Sequence, residues 1–155
     1  MSNEQTIPEK VKGGVATFSV KIDGAAIPKI LQVYSVSIIN EVNRIPAAKL
    51  KIIDGEPSKS NFAASNSDIF LPGKEIELLV GHQSNEDSVF KGIIVRHGIT
   101  VRKNGSAQLS LECKDKAFKM TLGRKCAYFK DVKDSDIGRT LIGNNGLDSG
   151  TIDDT

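Results

Sequence analysis

The amino-acid sequence predicts a mainly β fold, an antiparallel β-barrel with one or two short helices. Three observations lead there: apolar residues recur with a period of two, turn-forming residues separate the alternating runs at short intervals, and only two short segments depart from that rhythm. Strands so closely spaced favour closure, because a barrel removes the free edges that an open sheet exposes; a sandwich is the second choice.

Along the chain, Phe18, Val20 and Ile22 alternate with Thr17, Ser19 and Lys21, and Asp23-Gly24 supplies a turn. The stretch Leu31 to Ile39 is apolar on both parities: Leu31, Val33 and Ile39 share one, Tyr34, Val36 and Ile38 the other. A strand buried on two sides either lies under a docked helix or faces another subunit. Ala48, Leu50 and Ile52 alternate with Lys49 and Lys51 before the turn Asp54-Gly55-Glu56-Pro57. Ser58 to Ser65, short, polar and Ala-containing, has room for one or two helical turns.

After Pro72-Gly73, Ile76, Leu78 and Val80 alternate with Glu75 and Glu77, and the polar run Gln83 to Asp87 follows. His97 shares the odd parity of Val89, Ile93, Val95, Ile99 and Val101, which predicts an inward, hydrogen-bonded histidine. Asn104-Gly105 reads as a tight hairpin turn, since both central positions need positive φ; it joins a strand ending near Arg102 to one beginning near Ser106. Leu109, Leu111 and Cys113, set against Gln108, Ser110 and Glu112, complete about seven strands on this pattern. Asp134-Ser135-Asp136 opens a helix with capping residues, Ile137 and Leu141 share one face, and Asn145-Gly146 stops it. Gly138 inside that helix costs about 1 kcal/mol relative to Ala, so the helix depends on docking.

At 155 residues the chain is one domain's worth. The expected division is a flexible arm over residues 1–14, a barrel over 15–147 and a flexible tail over 148–155, rich in Asp, Ser, Gly and Thr. With 39% hydrophobic and 26% charged residues, neither disorder nor a fibre fits. No run approaches the roughly 18 apolar residues of a membrane helix, and the polar N-terminus lacks the apolar centre of a signal peptide, so no membrane anchor is expected. Two cysteines do not make a disulfide framework and suit a reduced compartment.

No catalytic constellation emerges. His82 borders a polar turn, Cys113 and Cys126 lack partners at zinc spacing, and the glycines form no phosphate-binding loop. Glu75 and Glu77 share a strand face as alternating surface charge. The sequence therefore predicts no enzyme, cofactor or metal site. The whole-chain charge of +2 is too small for a general attraction to polyanions, but Lys114 to Lys133 holds seven basic residues against Asp115 and Asp131, a local +5. A solvated face explains that charge as well as an acidic partner or a phosphate backbone does. Aromatic stacking platforms are sparse, which argues against nucleic acid as a partner and leaves a freestanding nucleic-acid-binding barrel as the alternative reading.

An ordered series of motifs carries a family resemblance. Phe90-Lys91-Gly92-Ile93-Ile94, Arg96-His97, Leu111-Glu112-Cys113-Lys114-Asp115-Lys116-Ala117-Phe118-Lys119-Met120-Thr121, Gly123-Arg124-Lys125, Asp134-Ser135-Asp136-Ile137 and Gly146-Leu147 resemble the N-terminal part of VgrG proteins, the spikes of type VI secretion systems related to phage-tail hubs. The resemblance runs from about Phe18 to Leu147. It implies a β-barrel of the phage tail-tube and hub type and a structural role in a contractile injection machine, joining inner tube to spike. It further implies, as partners, sister copies in a trimer of the full-length protein, an inner-tube protein and effector or tip proteins. Assembly is expected in the bacterial cytoplasm, followed by export with the machine. On that reading Lys114, Lys116, Lys119, Arg124 and Lys125 join Tyr34, Val36 and Ile38 as candidate subunit or partner contacts. The family continues into a second barrel, a stalk domain and a needle; on the resemblance, residues 148–155 are expected to start that second barrel, and the sequence is expected to be either an excised fragment or a truncated homologue.

Overall fold

The computed structural model describes residues 16–55, 62–82, 85–102 and 107–155. The expected N-terminal arm, the first part of Ser58 to Ser65 and the Asn104-Gly105 turn lie outside the described residues.

The alternating segments form seven strands: β1 (Ala16–Ile22), β2 (Ala25–Ala26), β3 (Gln32–Ile39), β4 (Ala47–Ile53), β5 (Glu75–His82), β6 (Asn85–Val101) and β7 (Ala107–Lys114). Short 3-10 turns occupy Asp68–Phe70 and Lys116–Thr121, and a single helix, α1, spans Asp134–Gly143 among the described residues. The strands build one antiparallel sheet in the order β2-β1-β5-β6-β7-β4-β3. The fold is mainly β and antiparallel, as the alternation predicts. The sheet curls without closing: its two ends meet across an apolar cleft of about 440 Å³ lined by Phe18, Val20, Ile27, Leu31 and Val33, and among the described residues no ladder joins them.

Turn chemistry places the strands. Asp23 and Gly24 both have positive φ, the requirement of the two-residue hairpin turn between β1 and β2. Pro72 and Gly73 (φ 98°) form the bend before β5, closed by the Lys74 N–H donating to the Leu71 carbonyl. The core is the concave side of the curl. Val20, Ile22, Leu50, Ile52, Ile76, Leu78, Leu109, Leu111 and Cys113 are all buried there, each at a position the period-two pattern assigns inward. Phe18 and Val80 face the same way and pair with each other, but they lie beyond the filled part of the core and stay partly exposed.

Three bulges overturn parity readings. On β3 the partner register skips Tyr34, since Val33 pairs with Ile52 and Ser35 with Lys51. An extra residue reverses the side-chain alternation beyond it. Leu31, Val33, Val36 and Ile38 therefore all pack against the core, while Tyr34 and Ile39 stay exposed. The two-sided apolarity of this segment reflects one face interrupted by a bulge, and Val36 and Ile38 are corrected from outer contacts to core-packing residues.

On β6 the skipped residues are Val89 and Val95. Between them Phe90 and Ile94 join the core cluster and Ile93 is buried as well, whereas the odd-numbered Val89 is exposed and Val95 is only partly buried. Beyond the second bulge the odd residues turn inward, and His97 lies opposite buried Leu111. His97 is nevertheless exposed at the rim, where its Nδ1–H donates to the Phe70 carbonyl at 3.1 Å.

One end of the core is covered by residues 62–70, whose Ala64 and Phe70 are buried. This cover is fastened by the carboxylate of Asp54, itself buried, which accepts hydrogen bonds from the Ala64 N–H (2.8 Å), the Ser65 N–H (3.0 Å) and the Ser65 hydroxyl.

At the other extreme, α1 starts where the sequence suggests but is capped differently. Neither Asp134 nor Ser135 caps it; the Thr155 hydroxyl accepts from the Ser135 N–H at 3.2 Å. Gly146 (φ 67°) ends it, with the Leu147 N–H returning to the Ile142 carbonyl. Residues 148–155, expected to be flexible, run back along α1. Arg139 holds them by donating to the Ile152 carbonyl and to Asp154, while also pairing with Asp136.

Candidate interaction surface

The basic segment leaves the sheet at the end of β7 and is positioned by the 3-10 turn Lys116–Thr121. The Asp115 carboxylate caps that turn by accepting from the Ala117 N–H at 2.8 Å, and the Asp115 N–H donates to the Pro46 carbonyl. Lys114 places its ammonium 4.4 Å from the centre of the Phe118 ring, a cation–π contact. Lys116 reaches back to the sheet and pairs with Glu75 on β5. Arg124 lies in an exposed stretch without regular secondary structure, together with Lys125, whose Nζ is 3.4 Å from Asn145 Oδ1; Lys119 is exposed on the preceding turn. Leu122 and Tyr128 are exposed beside them, Tyr128 at 86%. The structure thus gathers the five basic candidates along one excursion, with apolar side chains interleaved. Tyr34, also outward, sits on β3 at one end of the sheet.

The Lys116 ammonium, hydrogen-bonded to Glu75, holds that carboxyl below its usual range against a smaller opposing effect of desolvation. A depressed carboxyl contributes stability above its unfolded pKa and loses it as pH falls through the folded value. Both side chains are well exposed, which limits the pair to about 1 kcal/mol or less. Urea unfolding should show Lys116→Ala less stable than the parent by no more than that at neutral pH, with the two curves converging in acid. A difference that persists in acid would assign the effect to packing.

A second charged array, not foreseen as a site, crosses the convex face of three strands. Arg96 on β6 pairs with Glu112 on β7 at 2.7 Å, and Lys49 on β4 approaches the same carboxylate oxygen at 4.0 Å. The Arg96 hydrogen bond lowers the Glu112 carboxyl below its usual range, with Lys49 and Lys114 adding to it. Next to this row, Gly98 pairs with Ser110 and Ser110 with Lys51. The low side chains of Gly98 and Ser110 and the long ones around them leave a basin of about 420 Å³. The outward parity of Lys49, Lys51, Ser110 and Glu112 was legible in the sequence; their juxtaposition with Arg96 required strand order and the bulge at Val95.

No group of three metal-ligating side chains converges among the described residues. Burial raises the Cys113 thiol to about 12, which leaves it un-ionised as a core side chain, whereas Cys126 is exposed.

Comparison with solved structures finds the same kind of curled sheet in two tail proteins. The tail protein from Neisseria meningitidis MC58 superposes with a TM-score of 0.56 at 18% identity, over 83% of this chain and 34% of its own. The 43 kDa tail protein of prophage MuSo2 from Shewanella oneidensis gives a TM-score of 0.62 at 11% identity, over 85% of this chain and 38% of its own. The chain spans little more than a third of the length of these proteins, and at such identities the likeness is one of fold. No curated protein sequence matches it. The family profile described as the Alg8 N-terminal domain matches residues 12–155, nearly the whole sequence. The chain belongs to the Alg8 N-terminal domain family.

Proposed function

We propose that this chain is a structural hub or spike component of a contractile injection machine, such as a type VI secretion system, and that it helps to join an inner tube to a spike. The observation that carries this reading is the seven-stranded curled sheet itself, whose likeness to two tail proteins extends over more than four fifths of the chain. The ordered motif series shared with VgrG proteins points the same way. On this reading the role is mechanical and needs no catalytic centre, and the partners are sister copies in a trimer, the tube protein and cargo at the tip. The machine assembles in the bacterial cytoplasm and leaves with its load. Lys119, Arg124 and Lys125, exposed on the excursion after β7, and Tyr34, exposed on β3, supply the contacts.

Mixing the protein with the tube protein encoded in the same genome should give a complex whose mass is measurable by light scattering. Arg124→Glu with Lys125→Glu should weaken that complex at least tenfold, since reversing rim charges replaces attraction with repulsion. Absence of any complex between the protein and that tube protein would sink the reading.

A further inference from the structure

Of the three strand glycines among the described residues, two are compelled by the fold. A Cβ at Gly81 would lie 1.8 Å from the Asn85 carbonyl oxygen, and one at Gly92 would lie 2.3 Å from the Lys114 carbonyl oxygen. Gly98 is different. Its φ is not positive, and a Cβ there would meet nothing within 4 Å among the described residues. Nothing among the described residues requires the side chain to be absent there, although glycine weakens a strand interior and leaves its backbone bare. Strand glycines occur at bulges, at tight bends and where a ligand or another backbone comes close; Gly98 lies beyond the Val95 bulge and pairs with Ser110 in regular register, which leaves the third reason.

The surroundings define that molecule. Gly98 and Ser110 form the low floor of the basin on the convex face, and Lys49, Lys51 and Arg96 stand around it with only Glu112 to offset three cations. Arg96 and Lys49 keep most of their side chains in solvent while leaning on Glu112, so they are held in place and remain open to a further anion. We propose that this basin is a docking site for an extended acidic segment of a partner protein, its backbone seated over Gly98 and its carboxylates meeting Lys49, Lys51 and Arg96. The site is separate from the basic excursion after β7 and does not depend on the tail-machine reading.

The test titrates the intact chain into a fluorescein-labelled peptide of alternating Glu and Ser at low salt, followed by anisotropy and paired with thermal unfolding of each variant. The parent should bind. Gly98→Val, which fills the basin and favours the strand, should lose at least tenfold in affinity with an unchanged or higher Tm, and Gly98→Ala should lose less. Lys49→Gln with Lys51→Gln should also lose at least tenfold, whereas Lys119→Gln should not. The proposal is overturned if the parent ignores the peptide or if Gly98→Val binds it as tightly as the parent. A clear drop in Tm for Gly98→Ala also overturns it, because the fold would then need the glycine. Concentration-dependent self-association of the parent that Gly98→Val abolishes would assign the basin to a sister copy instead.

Discussion

Replacing Asp54 with Ala should lower the unfolding free energy by about 3 kcal/mol, because a buried carboxylate that accepts three hydrogen bonds would be removed and its donors stranded. The effect is large because two of those donors are backbone N–H groups, those of Ala64 and Ser65, which cannot rotate away to find water. They belong to the segment that carries Phe70 over the end of the core. Asp54→Asn keeps one acceptor oxygen but turns an NH2 towards donors, so it should cost about half as much. Urea midpoints measure the loss, and hydrogen exchange at the Ala64 amide locates it. A fully protected Ala64 amide in Asp54→Ala would show that the cover is held by its apolar contacts alone.

Asp54 illustrates what the sequence conveyed and what it withheld. As part of Asp-Gly-Glu-Pro it reads as turn chemistry, which is correct for its backbone, since Gly55 has positive φ. Its carboxylate is committed to residues ten and eleven positions later, and no local pattern announces that distance. The same limit appears in the strands. Where β4, β5 and β7 run without interruption through the filled core, Leu50, Ile52, Ile76, Leu78, Leu109 and Leu111 are buried on the parity that alternation assigns them. Where a strand carries a bulge, parity changes sign, and Tyr34, Val89 and Val95 each reverse the residues that follow. A bulge adds one residue without adding any compositional signal, so the apolar run Leu31 to Ile39 imitates a strand buried on both sides.

For the candidate contacts, exposure was legible as charge in Lys119, Arg124 and Lys125, whereas Val36 and Ile38 were misassigned through that same bulge. The contacts of residues 148–155 with α1 were hidden for a related reason. Small polar residues suggest freedom, yet Arg139, Thr155 and Ile152 fasten this stretch to α1 by contacts between residues distant in sequence.

Gly92→Ala should destabilise the protein by about 2–3 kcal/mol, since one added methyl group enters a region with no room to receive it. The Cβ would stand 2.3 Å from the carbonyl oxygen of Lys114 and 2.8 Å from its carbon, both backbone atoms at the end of β7, and 2.9 Å from the Phe90 ring. The ring can turn. The backbone has less freedom, because the next residue, Asp115, is tied to Pro46 and caps the turn that positions Lys116. Relief must therefore come from displacing the end of β7, which moves the root of the basic excursion along with the sheet. Gly98→Ala on the same strand is the matched control: it adds the same methyl group to open space, so helix and strand propensities cancel and only the collision differs. Paired urea unfolding of the two variants should separate them by at least 2 kcal/mol, and weakened Lys116–Glu75 pairing, seen as loss of the acid-sensitive part of stability, should accompany Gly92→Ala alone. Equal stability of the two would mean that the β7 terminus yields freely, and the basic excursion would then be a loosely hung arm instead of one anchored by the sheet.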